Sequence, residues 1–375
     1  MHWLAKLMAF RDINSMYEGL VEKYPLLFAE WPSEIAIVGA SSFCESIING
    51  LQAKGVGICG VYDQNEKICG SEIGGLIVRS FSEMGEIGKD VPVILATHRL
   101  LALKIKLSGM GFVNVWPFPL LAIADRTYFS PHPFYLNLLE DLFDSRERLY
   151  SLHDRLGDER SKMVLDALIG FRLTLDPLSL NGLVDQDPYF CLDLVTIDSD
   201  EVIVDGGAYV GDSVEQLVEI TSNKFKYVIP FEPSVEIYEI LKNKFNDDVR
   251  VKPYRACLYN ENTTLCFDGF GKRHSSITND EGGGGCPAVA IDSLEESADI
   301  TFIKLNIEAA EPEAIEGAKK TIAANHPKLA VAVYHRPDHL WSIVDVIDRI
   351  YPGYTFYLRQ HDGGIIETVL YAVDR

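Results

Sequence analysis

Acidic and glycine residues gather in one short stretch, Asp205-Gly206-Gly207-Ala208-Tyr209-Val210-Gly211-Asp212-Ser213, and a second acidic position, Glu232, heads Glu232-Pro233-Ser234. Asn306, Glu308 and Glu311 follow, and then His335. Glycines let a backbone approach a ligand closely. A glycine loop leading into a helix takes up phosphate when no carboxylate lies beside it. Here Asp205 and Asp212 flank the glycines. Two carboxylates favour a ligand that is positively charged at that point, such as the ammonium and sulfonium of S-adenosylmethionine (SAM). Taken alone, the stretch also reads as a tight turn with a helix-capping Asp. Glu232 offers the pair of acceptor oxygens that a ribose diol needs, and Pro233 suits the first position of a following helix.

Strands and helices must bring these groups together. Val202 to Asp205 reads as a buried parallel strand, and Val214, Leu217 and Val218 repeat at helical spacing after it. The pattern predicts strands at 201–206, 226–232 and 249–257 with helices at 212–221 and 234–245 between them. Two short strands, 263–267 and 286–291, are separated by Gly282 to Gly285. Strand 299–306, helix 312–324, strand 328–334 and helix 339–350 come next, and strands 354–358 and 367–373 close the chain as an antiparallel hairpin. Ligands of open α/β sheets lie beyond the carboxyl ends of the strands. Asn306, Glu308, Glu311, His335 and His361 fall at such ends, whereas Lys304 lies inside its strand, able to pair with a neighbouring carboxylate.

Three segments in register, 204–213, Phe-Glu-Pro-Ser at 231–234 and Phe-Ile-Lys-Leu-Asn-Ile-Glu-Ala-Ala-Glu-Pro-Glu-Ala-Ile-Glu-Gly-Ala at 302–318, resemble the FkbM-type family of SAM-dependent methyltransferases. The resemblance covers roughly 197–375. It implies a class I, seven-stranded, Rossmann-like α/β domain and places SAM against Asp205, Gly206, Gly207, Ala208, Tyr209, Gly211, Asp212, Ser213, Glu232, Pro233, Ser234 and Ala256. It also implies O-methylation of a small acceptor, a sugar, nucleotide sugar or other polyol, in glycan or natural-product biosynthesis. Losing the hydroxyl proton calls for a base, and Glu308, His335 and Asn306 are the candidate catalytic residues. His335 is able to take a proton near neutral pH, and Arg336 and His339 offer further polar groups. The 274–286 loop, with His274-Ser275-Ser276 on a glycine base, reads as a lid on the acceptor side. Two positions depart from the usual Lys-Ile-Asp-Val-Glu-Gly-Ala-Glu: Asn306 replaces a carboxylate and Ala309 a glycine.

The 375 residues suggest four segments: a helical start at 1–32, a smaller Rossmann-like α/β domain at 33–127, a helical connector at 128–196 and the methyltransferase domain at 197–375. In the first α/β domain the loop Gly39-Ala40-Ser41-Ser42-Phe43-Cys44 follows a strand, and a second strand ends at Asp63. Ser41 and Cys44 stand where a dinucleotide fingerprint has glycine, and Glu45 adds a repelling charge. Tight nicotinamide binding is therefore not expected. A nicotinamide-dependent sugar oxidoreductase, or an inactive protein that binds SAM or a nucleotide sugar, remain the alternatives to methyl transfer. A net charge of −21 argues against nucleic acid and anionic membranes as partners. Seven cysteines without a CxxC pair suit a reduced cytoplasm better than disulfides or a metal site. No signal peptide or membrane span is expected, and a homo-oligomer is compatible with everything read here.

Overall fold

The computed structural model describes residues 2–186, 188–268, 276–278 and 285–374. They divide into two compact units: Met1–Tyr150 with Lys162–Val184 and Asp362–Ile366, and Ser151–Ser161 with Asp185–His361 and Glu367–Arg375.

The first unit holds a six-stranded sheet. Its strands are β1 (Glu34–Val38), β2 (Gly57–Asp63), β3 (Glu72–Ile73), β4 (Leu76–Ser80), β5 (Val93–Leu95) and β6 (Val115–Pro117), in the order β3-β4-β2-β1-β5-β6. All neighbours are parallel except β3 with β4. The leucine-rich stretch expected to be helical carries helices Leu138–Asp144, Arg146–Arg155 and Glu159–Thr174.

The second unit holds the sheet that matters for chemistry. Its strands are β7 (Val202–Gly206) and β8 (Tyr227–Phe231), then β9 (Cys257–Leu258), β10 (Thr263–Asp268), β11 (Ser276–Thr278) and β12 (Cys286–Val289), and finally β13 (Phe302–Leu305), β14 (Lys328–Ala332), β15 (Tyr354–Gln360) and β16 (Thr368–Asp374). Six of them form one sheet in the order β15-β16-β14-β13-β7-β8, parallel from β8 to β14 and antiparallel at β16 and β15. β7 and β13 are buried throughout, which is why their sequences are continuously apolar up to the functional residues.

A seventh ladder is expected at 249–257. The segment does lie along β8, but only as bridges Val228↔Val251 and Phe231↔Tyr254. Val228 N donates to Arg250 O, Lys252 N to Val228 O, Tyr254 N to Pro230 O and Glu232 N to Tyr254 O, each at 2.8–3.1 Å. Pro230 has no N–H, so the ladder lacks a donor in its middle. The expected helix 312–324 is two helices, Glu311–Glu316 and Lys319–Asn325. A Cβ at Gly317, between them, would lie 2.0 Å from Tyr259 O, so a backbone passes too close for any side chain. β9 to β12 form a small separate sheet, order β11-β10-β12-β9. His274, Ser275 and Gly282 to Gly284, the core of the expected lid, lie outside the described residues.

Candidate active site

The glycine loop leaves β7 at Gly206 and is tightly boxed. Gly207 has φ +75°, and a Cβ there would meet Asn306 O at 1.9 Å, so only glycine fits beside the end of β13. Gly207 N and Ala208 N both donate to Phe231 O, at 3.1 and 3.0 Å. Tyr209, half exposed, also takes a left-handed φ of 48°. Gly211, φ +84°, precedes helix Asp212–Ile220; a Cβ there would strike the Phe245 ring at 2.4 Å.

Asp205 does not face a ligand. It is 2% exposed; its Oδ1 lies 2.8 Å from Lys304 Nζ and its Oδ2 accepts from the Ser213 hydroxyl. Lys304 Nζ also donates to Gly206 O at 3.2 Å and Gly207 O at 3.0 Å. The pair expected for Lys304 thus sits beneath the loop and ties its carbonyls down. The reading of Asp205 as one of two ligand-facing carboxylates is corrected: its charge is met inside the protein, and Asp212, exposed at the start of the helix, is the one left outside.

Glu232 ends β8 beside the loop. Its Oε2 accepts from Tyr209 N at 3.1 Å and its Oε1 from Ser234 N at 2.9 Å. Burial raises its carboxyl above the usual range, against those two N–H donors and Lys304. Each oxygen keeps an acceptor position for a further donor. Pro233 is half-buried, and the Ser234 hydroxyl caps helix Val235–Lys244 by accepting from Ile237 N at 3.5 Å. Ala256 is buried just beyond Tyr254, whose ring stacks on Phe231 at 5.1 Å.

Beyond β13 the chain turns sharply. Glu308 and Ala309 hold φ of 55° and 81°, left-handed values that strain a residue with a Cβ. Ala309 therefore occupies a conformation made for glycine. Glu308 is exposed on this turn. Glu311, fully buried, supports it: Oε1 accepts from Ile307 N at 2.8 Å and meets His335 Nδ1 at 2.8 Å, while Oε2 faces His339 Nδ1 at 3.5 Å.

His335 and His339 are each 1% exposed, so neither faces an acceptor from the surface, contrary to expectation. His335 lies just past the end of β14 and His339 begins helix His339–Ile350, and Glu311 draws both rings inward. Burial opposes protonation of His335, but the carboxylates of Glu311, Glu308 and Glu367 outweigh it and raise its pKa. Burial dominates at His339 and lowers it to about 4. Burial would raise Glu311, yet His335 and His339 hold it below the usual range. Arg336 is exposed and pairs with Asp338 at 3.0 Å.

Asn306 enters a polar ring that sequence reasoning missed. Its Nδ2 donates to Tyr189 OH at 2.6 Å and its Oδ1 accepts from Tyr334 OH at 3.3 Å. Tyr189 OH donates to Glu367 Oε2 at 3.2 Å and Tyr334 OH approaches Glu367 Oε1 at 3.5 Å. Tyr334 carried a signal, a polar aromatic closing an apolar strand. Tyr189 carried none, since it lies in the segment read as a helical connector, and Glu367 read only as the start of the closing strand. His361 is turned away: its ring nitrogens meet Asp185 O and Tyr371 OH, each at 3.2 Å.

In the first unit the corresponding carboxylate is already engaged. Asp63 Oδ2 accepts from Ala40 N and Oδ1 from Asn65 N, both at 2.8 Å, while the Ser41 hydroxyl donates to Ala96 O at 2.7 Å.

Residues 205–360 match the methyltransferase FkbM domain. A methyltransferase FkbM from Methylobacillus flagellatus KT superposes with a TM-score of 0.72 at 21% identity, over 96% of this chain and 100% of that one, and shows the same fold. A precorrin-6y C5,15-methyltransferase from Geobacter metallireducens GS-15 gives 0.30 at 13% identity, over 48% and 82% of the two chains. Aeropyrum pernix fibrillarin in complex with natively bound S-adenosyl-L-methionine gives 0.31 at 10% identity, over 47% and 67%. No curated protein matches the chain. Among the described residues, no helix is long and apolar enough to cross a membrane.

Proposed function

We infer that this chain, whose residues 205–360 carry a methyltransferase FkbM domain, is a SAM-dependent O-methyltransferase acting on a hydroxyl of a sugar or other polyol. The observation that supports the cofactor most is Glu232, a buried carboxylate at the end of β8 with one N–H on each oxygen and one acceptor position left on each. That spacing suits a vicinal diol such as a ribose. The glycine loop, lacking room for any Cβ at Gly207, brings backbone to the same place. SAM, when bound, supplies an electrophilic methyl group on sulfur. Gly206 to Gly211 with Glu232 would hold it, and Asp212 would face its positive end. Pro233 and Ser234 set the direction of the next helix, and Ala256 closes the floor beyond Tyr254.

Acceptor chemistry belongs to the ends of β13 and β14, where polar groups converge within a wall of buried strands. His335 and Glu311 shape that wall rather than touch the acceptor. They hold the strained turn on which Glu308 is presented. Asn306 offers an amide able to orient a hydroxyl. The nicotinamide reading has no such support, because Asp63 already holds its own loop.

Calorimetry with SAM and with Glu232→Ala tests the cofactor: affinity should fall about fivefold to somewhat over a hundredfold, from roughly 1–3 kcal/mol for a lost hydrogen-bond partner. Unchanged affinity in a folded variant refutes the assignment. Transfer of labelled methyl from SAM to a panel of hexoses, deoxyhexoses and nucleoside-diphosphate hexoses tests the acceptor class. A protein that binds SAM and methylates none of them is the inactive binder instead.

A further inference from the structure

The ring around Asn306 ends on a carboxylate that lies outside residues 205–360, as does the tyrosine opposite it. We propose that Glu367 is the general base that takes the acceptor's hydroxyl proton, with Tyr189 and Tyr334 fixing its two oxygens; this rests on the O-methyl transfer proposed above.

The other candidates at these strand ends are less suited. Asn306 is an amide and cannot accept a proton at working pH. His335 is sealed from solvent and bound to Glu311. Glu308 is exposed, where water competes for any proton it would take. Glu367 is half-buried immediately before β16, next to the end of β14, where Val333 N donates to Thr368 O at 3.0 Å. One tyrosine hydroxyl lies against each of its oxygens, at 3.2 and 3.5 Å, leaving one acceptor position on each for an incoming hydroxyl. The same two hydroxyls reach Asn306, whose backbone N donates to Gly206 O at 3.1 Å. The base is therefore joined, through one layer of side chains, to the glycine loop.

The backbone holds this ring under strain. Tyr189 and Glu367 both take left-handed φ values, 71° and 58°, which residues with a Cβ rarely adopt. Such strain persists where surrounding structure fixes it, commonly at functional sites. Tyr189 N donates to Tyr371 OH at 3.0 Å, and His361 N donates to Glu367 O at 2.9 Å. Burial raises both tyrosine hydroxyls well above their ordinary values, so they stay protonated beside the carboxylate. Lys304 lies 4.9 Å from the Tyr189 ring, and Glu308, Glu311 and His335 also bear charge towards this corner.

In the step itself the acceptor oxygen bonds to the methyl carbon and the carbon–sulfur bond breaks. Its electron pair stays on sulfur, giving S-adenosylhomocysteine, and the hydroxyl proton passes to Glu367. A positioned base contributes on the order of a hundredfold or more.

The test uses the full chain and the panel sugar that the native protein methylates best. Glu367→Gln should lower kcat at least about a hundredfold, leave the calorimetric Kd for SAM within about twofold, and remove the acidic limb of the kcat/KM profile. Should Glu367→Gln not fold, Tyr189→Phe and Tyr334→Phe replace it, each expected to lower kcat about tenfold at constant SAM affinity. Retained turnover in Glu367→Gln overturns the assignment, as does a fall explained by lost SAM binding. Native protein that methylates no hydroxyl refutes the O-methyl transfer reading, a result separate from any variant's.

Discussion

Replacing Lys304 with Met removes the ammonium beneath the glycine loop while keeping the length of the side chain. Lys304 is 3% exposed and Asp205 2%. In the variant Asp205 keeps only the Ser213 hydroxyl, and the carbonyls of Gly206 and Gly207 lose their donor. Removing one partner of a buried ion pair costs about 3–5 kcal/mol, because the other charge stays buried. A unit of this size shifts its midpoint by about 2–4 °C per kcal/mol, so Tm should fall by roughly 6–20 °C. The double variant Asp205→Asn/Lys304→Met buries no charge and should regain most of that loss, to within about 1–2 kcal/mol of native. Scanning calorimetry of the native protein, the single and the double variant reads all three numbers. A single variant within about 1 kcal/mol of native, or a double variant no more stable than the single, refutes the reasoning.

Ala309→Gly should raise stability by roughly 0.5–1 kcal/mol in urea titrations, since relief of a left-handed alanine exceeds the added flexibility of glycine. Lowering the pH should expose His339. Its folded pKa of about 4 lies below the ordinary 6.5, so the unfolded chain takes up a proton first. Its contribution is complete above pH 6.5 and is lost as the pH falls towards 4, up to about 3 kcal/mol. Urea midpoints of His339→Gln should therefore fall less than native ones between those pH values, and equal slopes would contradict the assignment. NAD and NADP should give no calorimetric signal, because Asp63 already holds Ala40 N; a measured heat of binding would show the first loop competent after all.

How much was legible follows from how local each feature is. The alternation of apolar runs and glycine turns located β7, β8, β13 and β14 and the helices after them, since each depends on residues close in sequence. The ribose-type carboxylate at Glu232 was legible for the same reason: it directly ends a strand. The direction in which a side chain points was not. Asp205 and Glu232 look alike in sequence, yet one turns to Lys304 on the neighbouring strand and the other to Tyr209 N on the glycine loop. His335 reads as a surface histidine until Glu311, on another element, is seen to draw it inward. Tyr189 and Glu367 meet only because the closing hairpin returns beside β14, a contact spanning most of the unit's sequence. The missing ladder bond at Pro230 was visible as a residue, but its effect depended on which strand lay beside it.

Lys304 and Glu232 together also settle when the glycine loop becomes ordered. The ammonium fixes the carbonyls of Gly206 and Gly207, and the carboxylate fixes Tyr209 N, all within the protein itself. Immobilising a backbone residue loses roughly 1–2 kcal/mol of conformational entropy. For this loop that loss falls on folding, not on association. A ligand arriving here meets a preorganised surface, so none of its contact energy is spent ordering this loop, and capture needs no loop-closing step before it.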